Sequence, residues 1–495
     1  MNTNLQENID YILNELGKQS PVVVKDFFIG KSKSLKASLV FVNGLMSRSL
    51  IDRDLLNPLM IHLNEELVPG ESLPEYIAQR YIPMGSTKVE ENINKVIESI
   101  KIGKTAMLVE GSQSIIIIDT IDSTHYRAIA DPPNESAIRG SREGFVENIG
   151  VNISILRRKI KDKNLIIENL IVGKRSQTDV VIMYIDDIVD KDVLKKVQNR
   201  LNSIDVDSIN AAGMIEQYIE SSPYSVFPQA FNTERPDIVK ANLMEGKIAI
   251  LVNGNPNVLT VPAVFVEFFQ AVEDYNQRTI VSSFARLLRI LAVFMVITLP
   301  SIYLTLIQYN AELIPLKFIN PIVQSREGIA LTPFLEILAM EVVVEFLREG
   351  GLRLPPKIAG TLSIVGGIII GNTAIESRIV SPSTLLVVGI AVLSTFLIPN
   401  YEMSLSIRFI RFPMLVLANT IGFMGIAAGW FFLMVHLFSL ESFGVPYVSI
   451  KEKDMKDIFI RAPLWKMNNR PEAVPNNNPI RQSDFRKQFK GENDE

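Results

Sequence analysis

Cysteine is absent from the 495 residues. That absence removes disulfides, thiolate nucleophiles, Cys-ligated zinc and iron-sulfur clusters together. Histidine is nearly as scarce. His62, His125 and His436 are the three, too far apart along the chain for the short ligand spacing that announces a metal site. An excess of one charge is also missing: 50 Lys and Arg against 54 Asp and Glu give a formal net charge of -4. The chain therefore lacks the overall positive field that holds a phosphate backbone, and no nucleic-acid partner is expected. Nor is there a nucleophile elbow, a kinase signature or a dinucleotide fingerprint, and GKRSQTD at 173–179 does not have Walker A spacing. Neither an enzyme nor a cofactor is expected.

What the sequence does contain is an uneven distribution of charge. With 47% hydrophobic residues the chain can bury substantial cores, about three domains' worth by length. Residues 290–440 hold only 16 of its charged residues. Residues 290–311 (ILAVFMVITLPSIYLTLIQYNA) contain none, and a helix needs about 20 residues to cross hydrocarbon. Residues 379–401 and 412–440 are apolar in the same way, apart from His436, and 358–375 is a shorter, glycine-rich run. Four spans are expected, at 290–311, 358–375, 379–401 and 412–440. A further apolar stretch, 329–347, carries Glu336, Glu341 and Glu345. Three ionised carboxylates at bilayer depth cost several kcal/mol unless paired or protonated, so this stretch is read as an interfacial or re-entrant helix. The polar, acidic opening MNTNLQENIDYILNEL has no apolar core of signal type. Arg278, Arg286 and Arg289 precede the first span and basic residues follow the last, which puts both ends in the cytoplasm.

Ahead of the spans, short Ile- and Val-rich runs at 38–42, 105–109, 115–119, 165–172, 179–185 and 247–252 read as strands. Helical spacing falls at 54–66, 89–99, 142–161, 191–201 and 236–244. The fold class is thus an α/β cytoplasmic domain in two subdomains followed by an α-helical transmembrane domain. The Pro- and Gly-containing stretch 67–84 divides the subdomains into 1–80 and 81–285. The membrane domain covers 286–440 and a cytoplasmic tail 441–495, disordered from about 468. Residues 221–232 (SSPYSVFPQAFN) form a loop able to line a cleft, and no internal repeat is visible.

Few residues suggest chemistry. Asp186 and Asp187, or Asp119 and Asp122, stand at strand ends where carboxylates can hold Mg²⁺, but strand-ending turns with solvated acids explain them better. GSREGFVEN at 140–148, flanked by Arg139 and Arg142, resembles an anion-binding turn. A structural turn with locally paired arginines explains it better. Phe265, Phe268, Phe269 and Val272 make one apolar face of a coupling helix over 262–275, leading to the first span. Between 358 and 375, Gly360, Ser363, Gly367 and Gly371 form a helix-packing stripe of small residues. Thr361, Val365, Ile368 and Asn372 share another face, with two branched apolar residues between two polar ones, the order of a pore that gates by dewetting.

Two long runs, 139–188 (RGSREGFVENIGVNISILRRKIKDKNLIIENLIVGKRSQTDVVIMYIDDI) and 331–375 (LTPFLEILAMEVVVEFLREGGLRLPPKIAGTLSIVGGIIIGNTAI), closely resemble the A subunits of bacterial spore-germination receptors. The resemblance extends over nearly the whole chain. It implies a nutrient-sensing subunit of the spore inner membrane that works with a transporter-like B subunit and a lipoprotein C subunit. It also implies self-association into a ligand-gated ion channel that releases cations. The alternative from another class is a membrane-anchored adaptor or carrier that has no pore of its own.

Overall fold

The computed structural model describes residues 4–486 apart from 17–21, 31–34, 44–45, 64, 66, 68–69, 71, 102, 121–131, 133–134, 136–138, 354–369, 453 and 459. The chain divides into two compact units. The first holds Met1–Glu220, Ala230–Pro262 and Asn468–Ser483; the second holds Ser221–Gln229, Ala263–Met467 and Asp484–Glu495.

The first unit opens with α1 (Leu5–Leu16), whose Leu5, Ile9, Ile12 and Leu16 recur at steps of four and three and are all buried. Strands β1 (Val22–Ile29) and β2 (Leu35–Val42) follow, then π-helical turns at Ile51–Leu56 and Pro58–His62, and α2 (Leu73–Arg80). Next come β3 (Thr87–Glu90), α3 (Ile93–Lys101), β4 (Thr105–Val109) and β5 (Ile115–Ile118). The five strands make one antiparallel sheet in the order β1-β2-β4-β5-β3. One face packs on α1 and α3, the other on the π-helical turns and α2.

The same sequence of elements then occurs again. It runs α4 (Ile149–Lys159), β6 (Leu165–Val172), β7 (Thr178–Ile185), α5 (Lys191–Asn202), α6 (Ala212–Ile219), β8 (Phe231–Thr233), α7 (Pro236–Met244), β9 (Ile248–Val252) and β10 (Val258–Val261). The second sheet is ordered β6-β7-β9-β10-β8, which is the first order with five added to each strand. Strand lengths agree as well: 8, 8, 4, 5 and 4 residues in the first sheet against 8, 8, 3, 5 and 4 in the second. The unit is an internal structural repeat, which is not visible in the sequence. Such a repeat hides because a core requires apolar residues of about the right volume and not particular ones. Arg157, buried in the second repeat, ties the two together by donating to the carbonyls of Leu165 and Leu16.

This arrangement corrects the subdomain boundary drawn at residue 80. β4 and β5 come after that point, yet they lie in the same sheet as β1 and β2. The Pro- and Gly-containing stretch 67–84 holds α2, which covers the sheet through buried Leu73 and Ile77. The strands expected at 105–109 and 165–172 and the helix at 236–244 have those bounds. β1, β3, β8 and β10 were not anticipated; β8 and β3 have three and four residues, too few to show an alternation. The helix expected over 142–161 forms only from Ile149, where the Asn148 side chain accepts from the backbone N–H of Val151.

The tail also departs from expectation. Residues 468–483, read as disordered, belong to the first unit. Asn477 donates from its backbone to Ile188 and from its side chain to Val189, Val474 is buried, and Arg470 donates to the carbonyls of Met244, Asn478 and Ile480. Polar composition does not exclude order here, because Asn and Arg groups satisfy loop carbonyls at Ile188, Val189 and Met244.

The second unit is helical. After a 3-10 turn at Phe265–Phe269 come α8 (Val272–Asn276), α9 (Thr279–Gln308), α10 (Leu316–Arg326) and α11 (Pro333–Leu352). They are followed by α12 (Gly371–Glu376), α13 (Pro382–Thr395), α14 (Tyr401–Ile421) and α15 (Phe423–Ser439). Among the described residues α9 and α14 are long and apolar enough to cross a membrane, with mean hydropathies of 2.4 and 1.2 over their most apolar windows. The single span expected at 412–440 is instead the end of α14 and all of α15, because Gly422 takes φ +62° and turns the chain. A Cβ on Gly425 would meet the Leu417 carbonyl, and one on Gly429 the Met414 sulfur, so these glycines let α14 and α15 close as an antiparallel hairpin. Within 379–401, helix α13 accounts for 14 residues.

Replacing Arg470 by Ala removes the donor to three carbonyls. We expect a loss of about 1–3 kcal/mol, read as a lower melting temperature of the first unit in the full chain together with protease cleavage between 468 and 483.

Candidate functional site: an arginine-anchored junction and buried helix charges

Helix directions follow from a few contacts. Near the C-terminal ends of α9 and α14 the Tyr309 hydroxyl donates to the Asn419 carbonyl, so the two helices run parallel. Thr384, in the first turn of α13, donates to Tyr303 near the end of α9, so α13 runs the other way. Helix α11 runs parallel to α13, with Glu336 beside Ser381 at one end and Arg348 beside Thr395 at the other. One end of the bundle therefore gathers the start of α9, the start of α14 and the ends of α11 and α13.

At that end α9 is anchored by charge. Asp274 of α8 is buried and accepts from Arg286 at 3.0 Å and from Arg289 at 2.6 and 2.9 Å. Arg286 also reaches Asp457 at 2.7 Å, and Tyr275 donates to the same carboxylate at 2.7 Å. The Arg286 and Arg461 guanidinium groups lie over the Tyr275 ring at 5.5 and 5.6 Å. Arg286 and Arg289, two of the three arginines that precede the expected first span, are thus ion-paired fixtures of the first long apolar helix.

Phe265, Phe268 and Phe269 sit in the turn leading into this anchor. The single coupling helix expected over 262–275 is broken into the 3-10 turn and α8, with Gln270 and Ala271 extended between them. Phe268 is fully buried 6.1 Å from the Tyr447 ring; Phe265 packs edge-on to Phe269 at 5.0 Å and to Tyr447 at 5.9 Å. The loop 221–229 joins the same cluster. Phe227 stands 6.2 Å from Phe265 and 6.1 Å from His436 of α15, Ser225 shares a 3.0 Å hydrogen bond with His436, and Ser406 of α14 donates to the Val226 carbonyl. In the chain this loop lies between α6 and β8, so a loop interrupting the second repeat becomes part of the helical unit.

The three carboxylates of α11 are all paired. Glu336 accepts from Arg326 at 2.6 Å and from the Ser381 N–H at 2.5 Å. Glu345 accepts from Arg408 at 3.2 and 2.5 Å and from Arg411 at 3.1 Å. Glu341 lies 2.7 Å from Arg411, each side chain 1% exposed. That ion pair is not aligned as a hydrogen bond, and among the described residues both Glu341 oxygens and Arg411 Nε have no hydrogen-bond partner. The reading of 329–347 as an interfacial or re-entrant helix rested on the cost of unpaired acids. The pairing removes that reason, and α11 is a 20-residue bundle helix packed against α9, α13 and α14.

Arg408 and Arg411 are the residues that sequence reasoning missed. Their signal was a pair of arginines three apart inside an apolar run, matching the four-residue step between Glu341 and Glu345 on another helix. Of the pore candidates Thr361, Val365, Ile368 and Asn372, and the packing stripe Gly360, Ser363, Gly367 and Gly371, only Asn372 and Gly371 are described, both in α12. The others lie outside the described residues. The remaining loops are structural: Glu143 pairs with Arg158 and Lys159, the Ser141 carbonyl accepts from Arg235, and Asp186 pairs with Lys191 at 2.5 Å. Asp122 is not described, and among the described residues no group of His, Asp and Glu is arranged to hold a metal.

Residues 10–473 match the family model described as Bacillus/Clostridium GerA spore germination protein. The chain belongs to that family. Spore germination protein KA of Bacillus subtilis (strain 168) is 36% identical over 483 residues, which cover 97% of this chain and 88% of that one. Spore germination protein B1 of the same organism is 32% identical over 486 residues, covering 97% and 99%. A crystal structure of the N-terminal domain of the A subunit of the Bacillus megaterium spore germinant receptor GerK3 aligns with 54% of this family member and 97% of that domain, at 31% identity and a TM-score of 0.41.

Two measurements test the germination protein's junction and its charges. Phe268→Ala should cost about 3–5 kcal/mol and lower the amount of folded protein, whereas half-buried Phe269 can be shortened with normal protein level and impaired germination. In the bundle, Arg411→Leu alone should destabilise by about 3–5 kcal/mol by stranding Glu341, and Glu341→Met with Arg411→Leu should recover most of that loss in a detergent melting experiment.

Proposed function

We propose that this chain is a membrane subunit of a nutrient-sensing germination receptor in the spore inner membrane. In this reading it oligomerises into a ligand-gated ion channel whose opening releases cations. The observation that carries the reading is the buried Asp274 clamp. Two arginines of α9 are fixed to a carboxylate on the short helix before it, so displacement of that segment must displace the first long apolar helix or break a buried charge pair. Membership of a spore germination family supplies the process. A transporter-like B subunit that binds the nutrient, a lipoprotein C subunit and further copies of this chain are the partners. Membrane lipid surrounds the helices.

The repeat-bearing unit is cytoplasmic in this reading. With α11 paired and antiparallel to α9, the chain crosses six times: by α9, α11, the segment 358–375, α13, α14 and α15. This replaces four crossings and leaves both ends on one side. Thr361, Val365, Ile368 and Asn372 line the pore, and Gly360, Ser363, Gly367 and Gly371 pack the segment against its neighbours.

Liposomes containing the purified chain should pass monovalent cations, and Val365→Ser should leak without ligand. Tight liposomes with both proteins would favour the anchored adaptor. Single cysteines introduced at Thr3, Ser449 and Glu312 of the Cys-free chain should label from the same side for the first two and from the opposite side for the third. Opposite labelling of Thr3 and Ser449 would end the six-crossing arrangement.

A further inference from the structure

One cluster of charges near an end of the helix bundle holds more arginines than carboxylates. Glu341 and Glu345 of α11 face Arg348 of the same helix and Arg408 and Arg411 of α14. Glu341 is taken by Arg411, and Glu345 is held in a fork by Arg408 and touched by Arg411. Arg348 approaches Glu345 only to 3.9 Å. Its contacts are otherwise neutral: it donates to the Thr395 hydroxyl and lies 5.2 Å from the centre of the Phe396 ring. Three guanidinium groups therefore share two carboxylates, leaving one positive charge over. No other carboxylate among the described residues comes within ion-pair distance of the three arginines, and the neighbouring segment 354–369 contains no Asp or Glu in its sequence.

An unmatched charge in an apolar bundle is costly unless a counter-charge is recruited. Arg348 and Arg408 keep 19% and 14% of their side chains exposed, so they are accessible from the bundle surface, while Arg411 behind them is sealed. Arg348 is four residues from the end of α11 and Arg408 seven from the start of α14, about 6 and 10 Å along their axes. That is the depth of a membrane interface, at the end that also carries Arg286 and Arg289. Guanidinium groups engage phosphate oxygens in two-point contacts, and the phosphates of anionic lipids lie at this depth. We propose that Arg348, backed by Arg408, binds a phosphate oxyanion, supplied in the membrane by the headgroup of an anionic lipid. The lipid source rests on the membrane reading above; the oxyanion chemistry does not.

The test uses the full chain purified in neutral detergent and in vesicles of phosphatidylcholine with and without phosphatidylglycerol. Phosphatidylglycerol should raise the melting temperature above that in phosphatidylcholine alone, and native mass spectrometry should show retained phosphatidylglycerol. Arg348→Gln should weaken retention about tenfold or more, and Arg348→Lys, which keeps the charge but not the fork, by less. Arg353→Gln, which removes an exposed arginine paired with Glu349, should change nothing and so controls for general attraction. Inorganic phosphate titrated in detergent separates the sources. Stabilisation by phosphate that needs Arg348 supports the oxyanion site even where vesicles show no lipid preference, and a chain that fails to enter vesicles counts against the membrane reading alone. Retention by Arg348→Gln and Arg348→Lys equal to that of the unaltered chain overturns the proposal. So does dissociation of an oligomer by Arg348→Gln with lipid retention unchanged, which would assign the spare charge to a second copy.

Discussion

The pairing of Arg411 with Glu341 is the contact on which the helical unit depends. Both side chains are almost completely buried, and neither charge is tolerable there without the other. Their pairing fixes α14 against α11, and Arg408 with Glu345 fixes the register one turn along. At the opposite end of α11, Glu336 binds Arg326 and caps the start of α13 through the Ser381 N–H. Apolar side chains on smooth helices slide past one another with little change in energy. Charge pairs do not slide, and these define which faces of α11, α13 and α14 meet.

The Asp274 clamp uses the same physics at the start of α9. One carboxylate holds two arginines a turn apart, and Tyr275 stacks under one of them. The aromatic cluster of Phe265, Phe268, Tyr447 and Phe227 lies beside it. Apolar packing and charge pairing together make this junction stiff, so a shift of the 265–276 segment cannot be absorbed locally.

Much of the fold was legible from the chain. Val- and Ile-rich runs marked β4 and β6 to the residue: every position of β4 is buried, and β6 alternates buried with more exposed positions over most of its length. The apolar stretch at 290–311 marked α9 because an uninterrupted charge-free run has one favourable environment. The edge strands β1 and β8 were not legible, since VVVKDFFI mixes exposed and buried positions and FNT is too short for a period. The tail 468–483 was not legible for a related reason: the hydrogen bonds that tie it to the first unit reach residues more than two hundred positions away, and polarity alone cannot show them.

The sequence by itself determined that the protein has a charge-rich α/β part and a charge-poor helical part, that cysteine chemistry is excluded, and that Glu336, Glu341 and Glu345 must be paired or kept out of lipid. Those conclusions depend on composition and local spacing, which the chain states directly. Tertiary structure decided that Arg326, Arg408 and Arg411 are the partners, that Gly422 splits the last apolar run into a hairpin, and that the two sheets are copies of one topology. Each of these depends on which distant residues meet, a matter of packing and charge complementarity between elements that local sequence does not encode.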